Sequence, residues 1–134
     1  MQSFQNKVVW ITGASSGIGE AIALAFAKEG AKLVLTSRRE EELIRVKTSL
    51  GLPESSVLII PMDVTDFNKA QPAADLIMKT FGHIDIMVHN AGISQRSYIK
   101  DTDLDVYRKI MDVDFYSTVA ITKAVLPYMI KQKS

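Results

Sequence analysis

A strand that runs into a glycine turn and then a helix limits the fold more than anything else in these 134 residues. Val8-Val9-Trp10-Ile11 is an uninterrupted apolar run rich in β-branched residues, the pattern of a short strand buried on both faces. Gly13, Gly17 and Gly19 follow, and Ala21 to Ala27 is a run of good helix formers. Strand, glycine turn and helix in that order make a place for a phosphate. Gly13 can leave the strand at positive φ, and Gly17 presents backbone to a pyrophosphate with no Cβ in between. Gly19 allows the helix to pack close to the sheet, while the first N–H groups and the dipole of the helix face the anion.

Other readings of the glycines compete with this one. A P-loop needs Gly-Lys-Ser/Thr, but Glu20 follows Gly19 and the next lysine is Lys28. The G-x-G-x-x-G spacing fails too, because the glycines run Gly-x-x-x-Gly-x-Gly. A tight turn with no ligand stays open as the plain alternative.

Downstream, short apolar strands alternate with helices. The first helix spans about Gly17 to Lys28 and stops at Glu29-Gly30. Lys32–Thr36 is a second strand, Glu40–Leu50 a helix with Leu43, Val46, Lys47 and Leu50 on one face, and residues 51–56 a loop. Val57–Ile60 is a third strand; Thr65-Asp66 caps a helix to about Phe81; Ile84–Val88 is a fourth strand. A loop from Ile93 to about Thr102 leads to one long helical pattern from Asp103 to about Lys133, bent at Pro127. The alternation implies right-handed crossovers and an α/β, Rossmann-type doubly wound parallel sheet of about four strands, order 3-2-1-4.

Composition excludes several classes. The length suits one domain with a modest core, residues 1–134. A net charge of +1 leaves no footprint for nucleic acid or an anionic membrane. With no cysteine there is no disulfide framework, thiolate nucleophile or cysteine metal site, and no metal is expected. Met1–Lys7 is too short and polar for a signal peptide, and no apolar run approaches the roughly 18 residues of a membrane span. A soluble cytoplasmic protein is the expectation.

From Thr12 to Gly19 the residues match Thr-Gly-x-x-x-Gly-Ile-Gly, and here the chain resembles the short-chain dehydrogenase/reductase family. The likeness continues through Asn90-Ala91-Gly92, Ser94, Asp101, Val106, Met111 and Thr122 to Pro127, so it covers nearly the whole chain. It is greatest to the branch called dehydrogenase/reductase member seven. Relatives there carry an amino-terminal membrane segment, which this chain lacks; association with the endoplasmic reticulum is the family's alternative to a cytoplasmic location. The resemblance implies an oxidoreductase with a nicotinamide coenzyme and a small carbonyl or alcohol substrate. It assigns coenzyme contacts to Gly13, Ser15, Ser16, Gly17, Ile18 and Gly19, to Ser37 and Arg38, to Asp63 and Val64, and to Asn90, Ala91 and Gly92.

The end of the second strand decides which coenzyme. An NAD enzyme places an acidic residue there for the ribose 2′-hydroxyl; this chain has Ser37-Arg38-Arg39. A guanidinium holds a 2′-phosphate by charge-assisted hydrogen bonds, so NADP(H) is favoured over NAD(H), with Arg38 as the ligand. The alternative is that both arginines are solvated charges opening the helix at Glu40. Asp63 has two roles open: accepting from the adenine amino group, as in the family, or capping beside Thr65-Asp66. His89 replaces the first Asn of the family's Asn-Asn-Ala-Gly and is read as structural rather than as a base.

Two departures bear on catalysis. Asp114 stands where the family has an asparagine that holds a water of the proton relay. The aspartate could serve through the helix carbonyl, or could add a negative charge beside the nicotinamide and disturb pKa values there. The family also needs a serine and a Tyr-x-x-x-Lys, yet Tyr98, Tyr107, Tyr116 and Tyr128 are followed at that spacing by Thr102, Met111, Ala120 and Gln132. The expectation is a domain that stops before the catalytic Ser/Tyr/Lys segment: the coenzyme half of the enzyme, or a catalytically inactive nucleotide-binding or interaction module. The outer edge of the fourth strand would then lack a partner, and a homo-oligomer is expected.

Overall fold

The computed structural model describes residues 4–92 and 102–132. At its centre lie four parallel strands, β1 (Val8–Thr12), β2 (Lys32–Thr36), β3 (Val57–Ile59) and β4 (Ile86–Val88), in the order β3-β2-β1-β4. The helices are α1 (Gly17–Lys28), α2 (Glu40–Leu50), α3 (Ala70–Phe81), α4 (Leu104–Met111) and α5 (Ser117–Gln132). This is the doubly wound sheet that the alternation of strands and helices implies.

The apolar run in β1 has its cause in the two layers it serves. Val8 and Trp10 pack with Ile77, Ile121 and Val125 of α3 and α5, whereas Val9 and Ile11 pack with Ala23, Leu43 and Val46 of α1 and α2. Successive side chains on a strand point to opposite faces, so a strand covered on both faces must be apolar throughout. Trp10 is fully buried, and its Nε1–H donates to Thr36 Oγ1 at 2.8 Å, so no polar group is stranded in the core.

Four boundaries differ from the sequence pattern. β4 starts at Ile86 rather than Ile84, because the Gln132 side chain takes both the N–H (3.0 Å) and the carbonyl (2.9 Å) of Ile84. β3 ends one residue early, at Ile59, just before Pro61, which has no N–H to donate. The third helix does not start at Thr65-Asp66. Thr65 bonds back to Asp63, a tight helical turn follows at Phe67–Lys69, and α3 begins at Ala70. The long carboxy-terminal pattern is two helices joined by a π-helical turn at Asp112–Tyr116, where the Ser117 hydroxyl donates to the Val113 carbonyl at 2.5 Å. Pro127 lies inside α5, so the α pattern breaks before it and not at it.

Among the described residues, β4 pairs with β1 alone, and no helix is long and apolar enough to cross a membrane. The expected loop at residues 93–101, with Ser94, Tyr98 and Asp101, lies outside the described residues.

Candidate coenzyme-binding site

β1 ends in a turn that only glycine tolerates. Gly13 has φ +62°, and a Cβ there would lie 2.9 Å from the Ala91 nitrogen. Ser16 then caps α1: its Oγ accepts from the Gly19 N–H at 3.0 Å and donates to the Gly13 carbonyl at 2.9 Å. Glu20 N–H bonds the Ser16 carbonyl at 2.8 Å, which leaves the N–H groups of Gly17 and Ile18 as the helix's open donors among the described residues. They lie at an accessible place. Ile18 is 70% exposed, and a Cβ at Gly17 would have nothing within 4 Å. Gly19 has a different cause from close helix–sheet packing: a Cβ there would meet the Gly13 carbonyl at 2.1 Å and Asn90 Nδ2 at 2.8 Å.

The turn is tied to the loop after β4. Asn90 Nδ2 donates to the Gly13 carbonyl (3.0 Å) and to Ser16 Oγ (3.1 Å), while the N–H groups of Asn90 and Ala91 donate to buried Thr12 Oγ1 at 3.1 and 3.2 Å. Next to it, His89 Nε2 lies 3.2 Å from Thr122 Oγ1 and links the end of β4 to α5. Desolvation holds the His89 imidazole below its ordinary pKa, which favours the neutral ring.

These loops rim a cleft of about 510 Å³ at the carboxyl ends of the strands. Gly13, Ser15 and Ser16 line it from β1, Ser37 and Arg38 from β2. Asp63 and Val64 line it beyond β3, and Asn90, Ala91 and Gly92 beyond β4. Gly17, Ile18 and Gly19 are not in its wall; the first two stand at the exposed helix end beside the turn. Arg39 is likewise absent from the wall and occupies the cap position of α2.

Asp63 does not cap a helix, because none starts at Thr65-Asp66; its carboxylate closes a local turn on Thr65 instead. Its Oδ1 accepts from the Thr65 N–H (2.9 Å) and hydroxyl (2.7 Å), and Oδ2 has no hydrogen bond among the described residues. Its carboxyl titrates below the usual aspartate range, first because of the Thr65 donors and then because of the Arg38 and Lys109 charges. Asp114 falls outside the cleft wall, with Oδ1 on Gly92: a Cβ there would sit 3.2 Å away.

Seven lining residues were not singled out from the sequence: Met62, Thr65 and, on or just after α4, Asp105, Arg108, Lys109, Asp112 and Val113. The charged ones recur at helical spacing, which reads as a solvated face. Nothing local in the sequence says that this face looks into the cleft. Arg108 is engaged there by Asp105 at 3.4 Å. No group of three or more His, Asp or Glu residues placed to hold a metal ion occurs among the described residues.

A model of the short chain dehydrogenase family matches residues 7–134. The chain belongs to the short-chain dehydrogenase family. A human protein, Dehydrogenase/reductase SDR family member 7, is 48% identical over 132 residues, covering 96% of this chain and 39% of that protein. The chain spans about two fifths of the length of the curated relatives it matches. Among solved structures, a short-chain dehydrogenase/reductase named glucose/ribitol dehydrogenase from Brucella melitensis superposes with a TM-score of 0.89 at 33% identity. That match covers 93% of this chain and 53% of the other. A Caenorhabditis elegans short-chain dehydrogenase/reductase of unknown function, solved with cofactor, also gives 0.89 at 33% identity, over 98% of this chain and 51% of its own. Membership makes the chain part of an oxidoreductase family whose members bind nicotinamide coenzymes.

Proposed function

We propose that this chain is the coenzyme-binding half of an NADP(H)-dependent oxidoreductase that passes hydride between the nicotinamide and a carbonyl or secondary alcohol. The observation that carries the reading is the cleft itself: it opens at the strand ends, with the Gly13 turn at one side and Arg38 on its rim. The residues present fit such a coenzyme, because open space stands where a Cβ at Gly17 would be. In this reading the Gly17 and Ile18 N–H groups hold the diphosphate and Arg38 holds the 2′-phosphate. Asp63 Oδ2 accepts from the adenine amino group, and the Asn90–Gly92 backbone lies along the ribose. The coenzyme, when bound, supplies or accepts the hydride.

Arg38→Ala tests the coenzyme assignment. NADPH binding should weaken about ten- to a hundredfold, the worth of one charge-assisted hydrogen bond, with NADH nearly unchanged. Equal losses for both would remove Arg38 from the phosphate site.

A second reading rests on the absence of Tyr-x-x-x-Lys from these 134 residues. On that reading the chain binds the nucleotide and catalyses nothing by itself. Absorbance of NADPH mixed with small carbonyl compounds separates the two; turnover by this polypeptide would reject the second. That β4 pairs with β1 alone among the described residues supports a further part of the proposal, self-association of the chain.

A further inference from the structure

We propose that Lys109 is a second cation for the coenzyme's 2′-phosphate, reaching the cleft from α4 while Arg38 reaches it from β2. This rests on the NADP(H) reading and names a specificity residue that neither the glycine turn nor the end of β2 supplies. Lys109 and Arg38 line the same cleft, and neither is held in an ion pair among the described residues. Arg108, one residue earlier, is instead engaged by Asp105.

The charge balance requires more than one cation. A phosphate monoester carries nearly two negative charges at neutral pH, and Asp63 adds a third in the same cleft. The glycine turn contributes Ser15 and Ser16, which are uncharged. Arg38 alone would only cancel Asp63. With Lys109 present, the two cations offset both Asp63 and Asp112, which lines the same wall, so the cleft presents no net negative charge to a dianion; without Lys109 it would. The charges of both Arg38 and Lys109 are felt at the Asp63 carboxylate, which puts the three groups within electrostatic reach of one another.

Isothermal titration of the 134-residue chain with 2′,5′-ADP and with 5′-ADP isolates the 2′-phosphate from the rest of the coenzyme. Lys109→Ala should weaken 2′,5′-ADP about fivefold or more and flatten its salt dependence, leaving 5′-ADP within about twofold. Lys109→Arg, which keeps the charge, should retain the preference. A Lys109→Ala loss shared equally by the two ligands, or no loss, overturns the inference even where Arg38→Ala still discriminates and the NADP(H) reading stands. A parent chain that binds the two ligands equally overturns the NADP(H) reading and the inference with it.

Discussion

The two ends of the sheet use one device to different effect. At the amino ends of β1 and β4, Asp85 Oδ2 accepts from the Val8 N–H at 2.8 Å and lies 2.5 Å from His83 Nδ1. Gln132 closes that end by bonding both backbone groups of Ile84. At the carboxyl ends, Thr12 and Asn90 likewise bind side chain to backbone across β1 and β4, while Ser16 takes the Gly19 N–H within the turn. The difference lies in what is left over. At the carboxyl end the stitching stops short of the Gly17 and Ile18 N–H groups, and glycine keeps the space in front of them clear. One end is a seal; the other, in the function proposed above, is a seat for an anion.

Breaking the glycine turn should have the largest effect. In Gly19→Ala the new Cβ would fall 2.1 Å from the Gly13 carbonyl, so backbone must move; a stability loss of about 3 kcal/mol is expected by urea unfolding, together with loss of coenzyme binding. A variant as stable as its parent would show that the turn does not fold over the start of α1. Gly13→Ala should lose more than about 1 kcal/mol, since its φ of +62° strains any Cβ.

Next come two substitutions that set the ends against each other. Gln132→Ala strands the Ile84 backbone groups and should cost about 1–3 kcal/mol with coenzyme affinity unchanged. Asn90→Ala should cost a similar amount but also reduce affinity, because it loosens the Gly13 carbonyl and Ser16. If Gln132→Ala lowers affinity as far as Asn90→Ala does, the division between seal and seat fails.

The smallest effect concerns Asp63. Its pKa is depressed from an ordinary 3.8, so its small contribution to stability is present above that value and fades as pH falls through the lower folded pKa. Thr65→Val removes the hydroxyl donor and should raise the Asp63 pKa in a carboxylate NMR titration. An unchanged titration would mean that the Thr65 hydroxyl does not hold Asp63 in solution.

The seat was legible in the sequence because its causes are local. Gly13 at positive φ and an apolar β1 each leave a mark within a few residues. Asn90 was marked by the family likeness alone, and its partners Gly13 and Ser16 lie more than seventy positions away. The seal was not, because Gln132 and Ile84 meet only through the packing of α5 against the sheet. The α4 wall was hidden for the same reason: Asp105, Lys109 and Asp112 follow helical spacing, and only tertiary structure turns that face toward Asp63. The π-helical turn left no periodic mark either, since Val113 and Ser117 keep their four-residue spacing through it.

A titration of the chain with NADPH, followed through its amide NMR shifts, tests the seat most directly. The account predicts saturable shifts at Gly13 to Gly19, Arg38, Asp63 and Asn90 to Gly92, with Ile84 and Gln132 still. Shifts concentrated around Ile84 and Gln132, or none near the glycine turn at saturating coenzyme, would contradict it.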